Sequence, residues 1–140
     1  MPSVFSRIIA GEFPARFVWK DEVCVGFLSI NPLAPGHTLV VPRLEIDHWL
    51  DVAPDLLGHL TTAAQAIGRG QMRAFSPARV GLMIAGLEVA HVHLHVVPIR
   101  TVHELSFANA DPAPDPAVLD AAADALRTAL REIGIEQVSD

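Results

Sequence analysis

Cysteine, basic charge and long apolar runs are all scarce in this chain. Its one cysteine, Cys24, excludes a disulfide framework within the chain and a multi-cysteine structural zinc site. Ten Lys plus Arg stand against sixteen Asp plus Glu, a formal charge of −6, and nine of the ten are Arg. With no basic run and no Arg/aromatic interleaving, a groove that tracks long nucleic acid is disfavoured. No stretch approaches the ~20 apolar residues of a membrane span. The opening Met-Pro-Ser-Val-Phe-Ser-Arg lacks a basic region followed by an apolar one, so a reducing, cytoplasmic setting is the expectation. What the chain has is apolar mass, 51% of 140 residues, enough for one domain with a real core. It also has seven histidines, almost as many as Lys and Arg together.

Periodicity and breakers give the elements. Ser3 to Ala10 reads as a short helix, capped by Ser3 and ended by Gly11. Ala15 to Trp19 and Val23 to Leu28 read as a hairpin around Lys20-Asp21-Glu22. Asn31 to Gly36 is a loop, and His37 to Val41 a strand that stops at Pro42. Pro54 to about Phe75 has helical spacing, weakened late by Gly68 and Gly70. Val80 to Ala85 and Ala90 to Val97 read as two more strands. Three prolines within residues 109–116 make that segment an extended connector. After it, Asp115 caps a last helix with Pro116 in its first turn and Gly134 at its end. Short connections favour an antiparallel sheet, and the class is α+β.

The sharpest feature is His91-Val-His-Leu-His95. On a strand, His91, His93 and His95 share one face and Val92, Leu94 and Val96 the other. Neighbouring histidines would stand about 6.6–7 Å apart, a row and not a cluster. Three readings compete. The histidines are structural; or a neighbouring pair chelates a metal with a third ligand from Glu45, Asp47 or His48; or an imidazole serves as nucleophile, flanked by groups that hold a phosphate and protonate a leaving group.

The run His91-Val-His-Leu-His-Val-Val97 resembles the His-φ-His-φ-His-φ-φ signature of the histidine triad (HIT) family of nucleotide hydrolases and transferases. Asn31 to Pro42 is similar to that family's second block, and Val4 to Ala15 to its amino-terminal helix and first-strand entry, so the resemblance spans residues 3 to about 105. It implies a HIT domain over residues 1–108, followed by the connector 109–116 and a helical extension over 117–140. It also implies an antiparallel sheet of about five strands, a long central helix and a homodimer. By resemblance, His93 attacks the α-phosphate of a nucleoside phosphoramidate or dinucleoside polyphosphate and is nucleotidylated. His95 contacts the phosphate, His91 orients His93, and His37 joins their network. Phe5, Ile8, Phe27 and Ile30 match the apolar base pocket, although each also fits ordinary core. Ser29, Asn31, Gly86, Leu87, Glu88 and Val89 match further substrate contacts. The implied partner is a small nucleotide such as an AMP or GMP derivative, with no metal and no cofactor.

The chain departs from the family pattern in several places. Leu87 stands where many members have Gln near the scissile bond, Val80 near an Asn, and Ser29 at a ribose-binding carboxylate. Loss of one donor to a developing charge can cost roughly 10²–10³ in rate. This motivates a second reading, a nucleotide-binding protein with weak turnover. Ser3 and Ser6 replace a Cys-x-x-Cys pair that binds structural zinc in some members, so that site is expected to be lost. His48, His59 and His103 are read as non-catalytic.

Overall fold

The computed structural model describes residues 1–140. Its five strands are β1 (Phe17–Lys20), β2 (Cys24–Leu28), β3 (Thr38–Pro42), β4 (Arg79–Met83) and β5 (Leu94–Ile99). They form one sheet in the order β1-β2-β3-β5-β4, antiparallel at every pairing. Helices α1 (Val4–Ile9), α2 (Pro54–Phe75) and α3 (Pro116–Glu132) complete the α+β architecture.

Both faces of the central strands are covered, and the period-2 alternation divides them. Leu28, Val40, Leu94 and Val96 pack under α2 and α3 with Leu60, Ile67, Leu126 and Leu130. Val25, Phe27, Leu39 and Val41 point the other way and pack with Phe5 of α1. The helical extension therefore shares the main core, through Ala122, Ala123, Leu126 and Leu130.

Local chemistry explains the joints. Ser3 caps α1 by accepting from the Ser6 N–H at 3.0 Å. Asp21 Oδ1 accepts from the N–H groups of Val23 and Cys24, both at 2.8 Å, and sets the β1–β2 turn. Its Oδ2 takes the Trp19 indole at 2.9 Å and His59 at 2.7 Å. Burial works to raise the Asp21 pKa, but these bonds outweigh it and hold the carboxyl well below its usual range. Burial pushes the neighbouring Cys24 thiol up to about 12. Gly36 has φ +88°, and a Cβ there would lie 2.3 Å from the Phe75 ring, so only glycine fits the turn into β3.

α2 runs unbroken from Pro54 to Phe75, as its spacing implies. A Cβ on Gly70 would meet Leu130 of α3 at 2.6 Å, so the missing side chain lets two helices approach. One expectation changes. The strand expected from Ala90 begins only at Leu94, because the Val92 N–H bonds the Ile46 carbonyl (2.7 Å) instead of a ladder partner. Residues 102–109, beyond the last expected strand, fold into two 3-10 turns, Val102–Leu105 and Phe107–Asn109.

The two sheet edges differ. The carboxyl-terminal tail runs beside β1, where Lys20 N–H donates to Gln137 O (2.9 Å) and Ser139 N–H to Val18 O (3.3 Å). β4 has β5 on one side and no strand on the other. A groove lies between β4 and α2, lined in part by Met72, Val80 and Leu82. No helix is long and apolar enough to cross a membrane.

Candidate active site

Three histidines, His37, His93 and His95, line one cavity of about 400 Å³ with His91 behind them, and backbone groups dictate where the protons of the four rings lie. A carbonyl can only accept and an N–H can only donate, so each bond to the main chain fixes one ring nitrogen of a neutral imidazole. His91 Nε2–H donates to Pro42 O at 2.8 Å, which leaves Nδ1 to accept from the Ser3 hydroxyl at 2.6 Å. His93 Nδ1–H donates to His91 O at 2.8 Å, which leaves its Nε2 lone pair free.

The second pair follows the same rule. Leu33 N–H donates to His37 Nδ1 at 3.0 Å, so the proton of His37 is on Nε2 and goes to His95 Nδ1 at 2.9 Å. His95 must then carry its own proton on Nε2. That atom is buried and has no hydrogen-bond partner; its nearest acidic group, Glu88 Oε1, is 3.9 Å away. A lone pair on His93 and an N–H on His95 thus stand side by side, with ring centroids 4.8 Å apart. His91 and His93 precede β5 and only His95 is on it.

Burial favours the neutral form of three of these rings. It holds His37 down at about 3 and His95 at about 4, with the neighbouring imidazoles adding to the effect and Glu88 opposing it at His95. His91 is lowered by the same cause, against the opposing pull of Pro42 O and Glu45.

The cavity brings together most of the residues singled out from the sequence. His37, His93, His95, Phe5, Ile8, Phe27, Ser29, Ile30, Asn31, Glu88 and Val89 all line it. Phe5 and Phe27 are at once wall and core. His91 lies behind the wall and reaches the cavity through its carbonyl. Gly86 and Leu87 do not line it: Gly86 turns the chain at φ +82°, and the Leu87 side chain is 94% exposed. Val80 sits on β4, in the groove against α2.

Other residues were missed. Phe107 packs edge-on against His95 with centroids 5.1 Å apart, and Ala110 joins the lining. Asn31 Nδ2 donates to Asp111 O (3.0 Å), so the proline-rich segment closes one side of the site as well as linking helices. Gln71 is buried in α2 and donates to Gly36 O and Val96 O, both at 2.9 Å, tying the approaches of His37 and His95 together. A polar residue on the inner face of an apolar helix was the available signal.

Two ligand-like clusters occur. Asp21, Cys24 and His59 form one, engaged in the turn described above. The other is Glu88, His93 and His95, whose ligand atoms lie within 4.8 Å of one another. The relay from Leu33 N–H puts a proton on His95 Nε2, which opposes two-nitrogen ligation there. Ser3 and Ser6 bond to each other's neighbours: Ser6 Oγ donates to Glu45 Oε1 at 2.7 Å, and Ser3 N–H to the same oxygen at 2.6 Å. His48 accepts from Leu50 N–H on the exposed surface.

Known proteins resemble the chain over this same region. A family profile described as HIT domain matches residues 10–102. An uncharacterized HIT-like protein of Mycobacterium tuberculosis is 36% identical over 113 residues, 77% of this chain and 78% of that protein. An Arabidopsis thaliana adenylylsulfatase is 28% identical over 100 residues, 68% of this chain and 51% of that protein. The crystal structure of a zinc-bound histidine triad family protein from Mycobacterium smegmatis superposes with a TM-score of 0.81 at 31% identity, covering 93% of this chain and 94% of that one. The triad, the sheet that carries it and these likenesses agree: the chain belongs to the histidine triad (HIT) family.

Proposed function

We propose that the protein is a nucleotide hydrolase that works through a covalent nucleotidyl-His93 intermediate. The observation that carries this reading is the free Nε2 of His93, held by the His91 carbonyl beside the unpartnered N–H of His95. In the first half-reaction, His93 Nε2 bonds to the α-phosphorus of a nucleoside phosphoramidate or dinucleoside polyphosphate. The bond from phosphorus to the leaving group breaks, and its electron pair departs with that group. His95 N–H donates to a phosphate oxygen as charge builds there. In the second half-reaction, water attacks phosphorus, the P–N bond to His93 breaks, the mononucleotide leaves and a proton passes to solvent. Phe5, Ile8, Phe27 and Ile30 would form the apolar wall for the base, and Ser29 and Asn31 the polar rim. The resemblance to a relative named an adenylylsulfatase supports nucleotide chemistry.

Mononucleotide release from an adenosine phosphoramidate tests the reading. It is expected from the intact protein and lost in His93→Ala; unchanged release in that variant overturns it. A second reading, nucleotide binding with little turnover, draws support from Leu87, which offers no hydrogen bond and points away from the cavity.

The open edge of β4 and the adjoining groove favour pairing with a second copy. Light scattering on the intact protein and Leu82→Arg tests this; a dimeric mass lost in the variant is the expected result. A reducing, cytoplasmic setting suits the single, buried thiol.

A further inference from the structure

The nucleotidyl-transfer reading leaves open which bond is broken, P–N or P–O–P, and the charges around the cavity bear on it. No lysine or arginine lines the cavity. Its one formally charged side chain is Glu88, whose carboxylate lies 3.9 Å from His95 Nε2. The two groups differ in depth: the His95 side chain is 5% exposed and that of Glu88 43%. Glu88 thus stands on the solvent side of the buried ring.

We infer that Glu88 selects the leaving group, favouring an amine on phosphorus and disfavouring a phosphate. This rests on the covalent reading above. A phosphoramidate nitrogen that has taken a proton from solvent is cationic. His93 Nε2 bonds to phosphorus, the P–N bond breaks with its electron pair going to nitrogen, and a neutral amine departs. Until that bond breaks, the positive charge on the nitrogen faces the Glu88 carboxylate. A polyphosphate leaving group gains negative charge as its P–O bond breaks. It would meet the same carboxylate with no side-chain cation in the cavity to balance it. Like charges at close range in a part-buried site oppose each other strongly. The one buried unpaired donor, His95 Nε2–H, matches the single α-phosphate both substrates share.

The test compares kcat/KM of the full chain on an adenosine phosphoramidate with an alkylamine leaving group and on diadenosine tetraphosphate. The intact protein is expected to prefer the phosphoramidate. Glu88→Gln, which keeps the shape and removes the charge, should shrink that preference about tenfold or more, and Glu88→Lys should shrink it further. A variant that slows both substrates by the same factor, or leaves both unchanged, overturns the selection role while the covalent reading stands. If neither substrate shows turnover that depends on His93, both fall together. Thermal unfolding of Glu88→Gln, expected unchanged because the side chain is half-exposed, separates a selectivity effect from loss of fold.

Discussion

His37 Nε2–H donates to His95 Nδ1 across 2.9 Å, and through this bond the Leu33 backbone sets the proton position on a ring it never touches. Loss of His37 should release that constraint. His37→Ala is expected to lower kcat/KM about tenfold, the scale of one lost hydrogen bond to a positioned group. It should also let His95 place its proton on Nδ1 and offer Nε2 to a metal beside His93 and Glu88. Inhibition by Zn²⁺ should therefore appear at lower concentration in His37→Ala than in the intact protein, as read from titrations of the initial rate.

Acid should destabilise the fold well before its carboxylates titrate. His37 and His95 are held at about 3 and about 4, below the ordinary value of 6.5. Above that value both states are neutral and stability does not depend on these rings. As pH falls through it, the unfolded chain takes protons that the folded chain refuses, and stability drops. The expected loss between pH 7 and pH 5 is about 2 kcal/mol for each ring. Urea unfolding at the two pH values measures it; equal stabilities would contradict the buried, neutral network.

Gly70→Ala should destabilise the protein although alanine is the better helix former by about 1 kcal/mol. The added Cβ would stand 2.6 Å from Leu130 Cδ2 and 3.2 Å from Leu126 Cδ1, so the buried Leu130 side chain or α3 itself must shift. Overpacking of this kind costs about 1–3 kcal/mol. A lowered denaturation midpoint checks the prediction, and Gly58→Ala, on an open face of the same helix, should not show it.

Leu87→Gln installs the residue that the family resemblance implies at this place, yet the Leu87 side chain points into solvent. The substitution is expected to change kcat less than threefold and stability by under about 0.5 kcal/mol. A large gain in turnover would mean that the segment moves inward with substrate bound.

Much of this was legible beforehand because its signals are local. The cap at Ser3, the proline at the start of α3 and the alternation around His91, His93 and His95 all act within a few residues. The four histidines could be grouped by pattern and by resemblance. Where each keeps its proton could not, because it depends on carbonyl and N–H groups brought from elsewhere: Pro42, Leu33 and the turn of chain at His91. Phe107 and Gln71 escaped for the same reason, since their partners lie far along the chain. The packing role of Gly70 was hidden because a helix propensity carries no information about the neighbour pressed against it.

The tail that covers β1 also limits how the molecule can assemble. A sheet with two bare edges can add strands at either side and grow without end, whereas here Gln137 and Ser139 occupy one of them. The pairing through β4 proposed above would consume the remaining edge of both participants and so would close on itself as a two-fold pair. The last few residues thereby act as a terminator, and a chain shortened before Glu136 should form species larger than a pair.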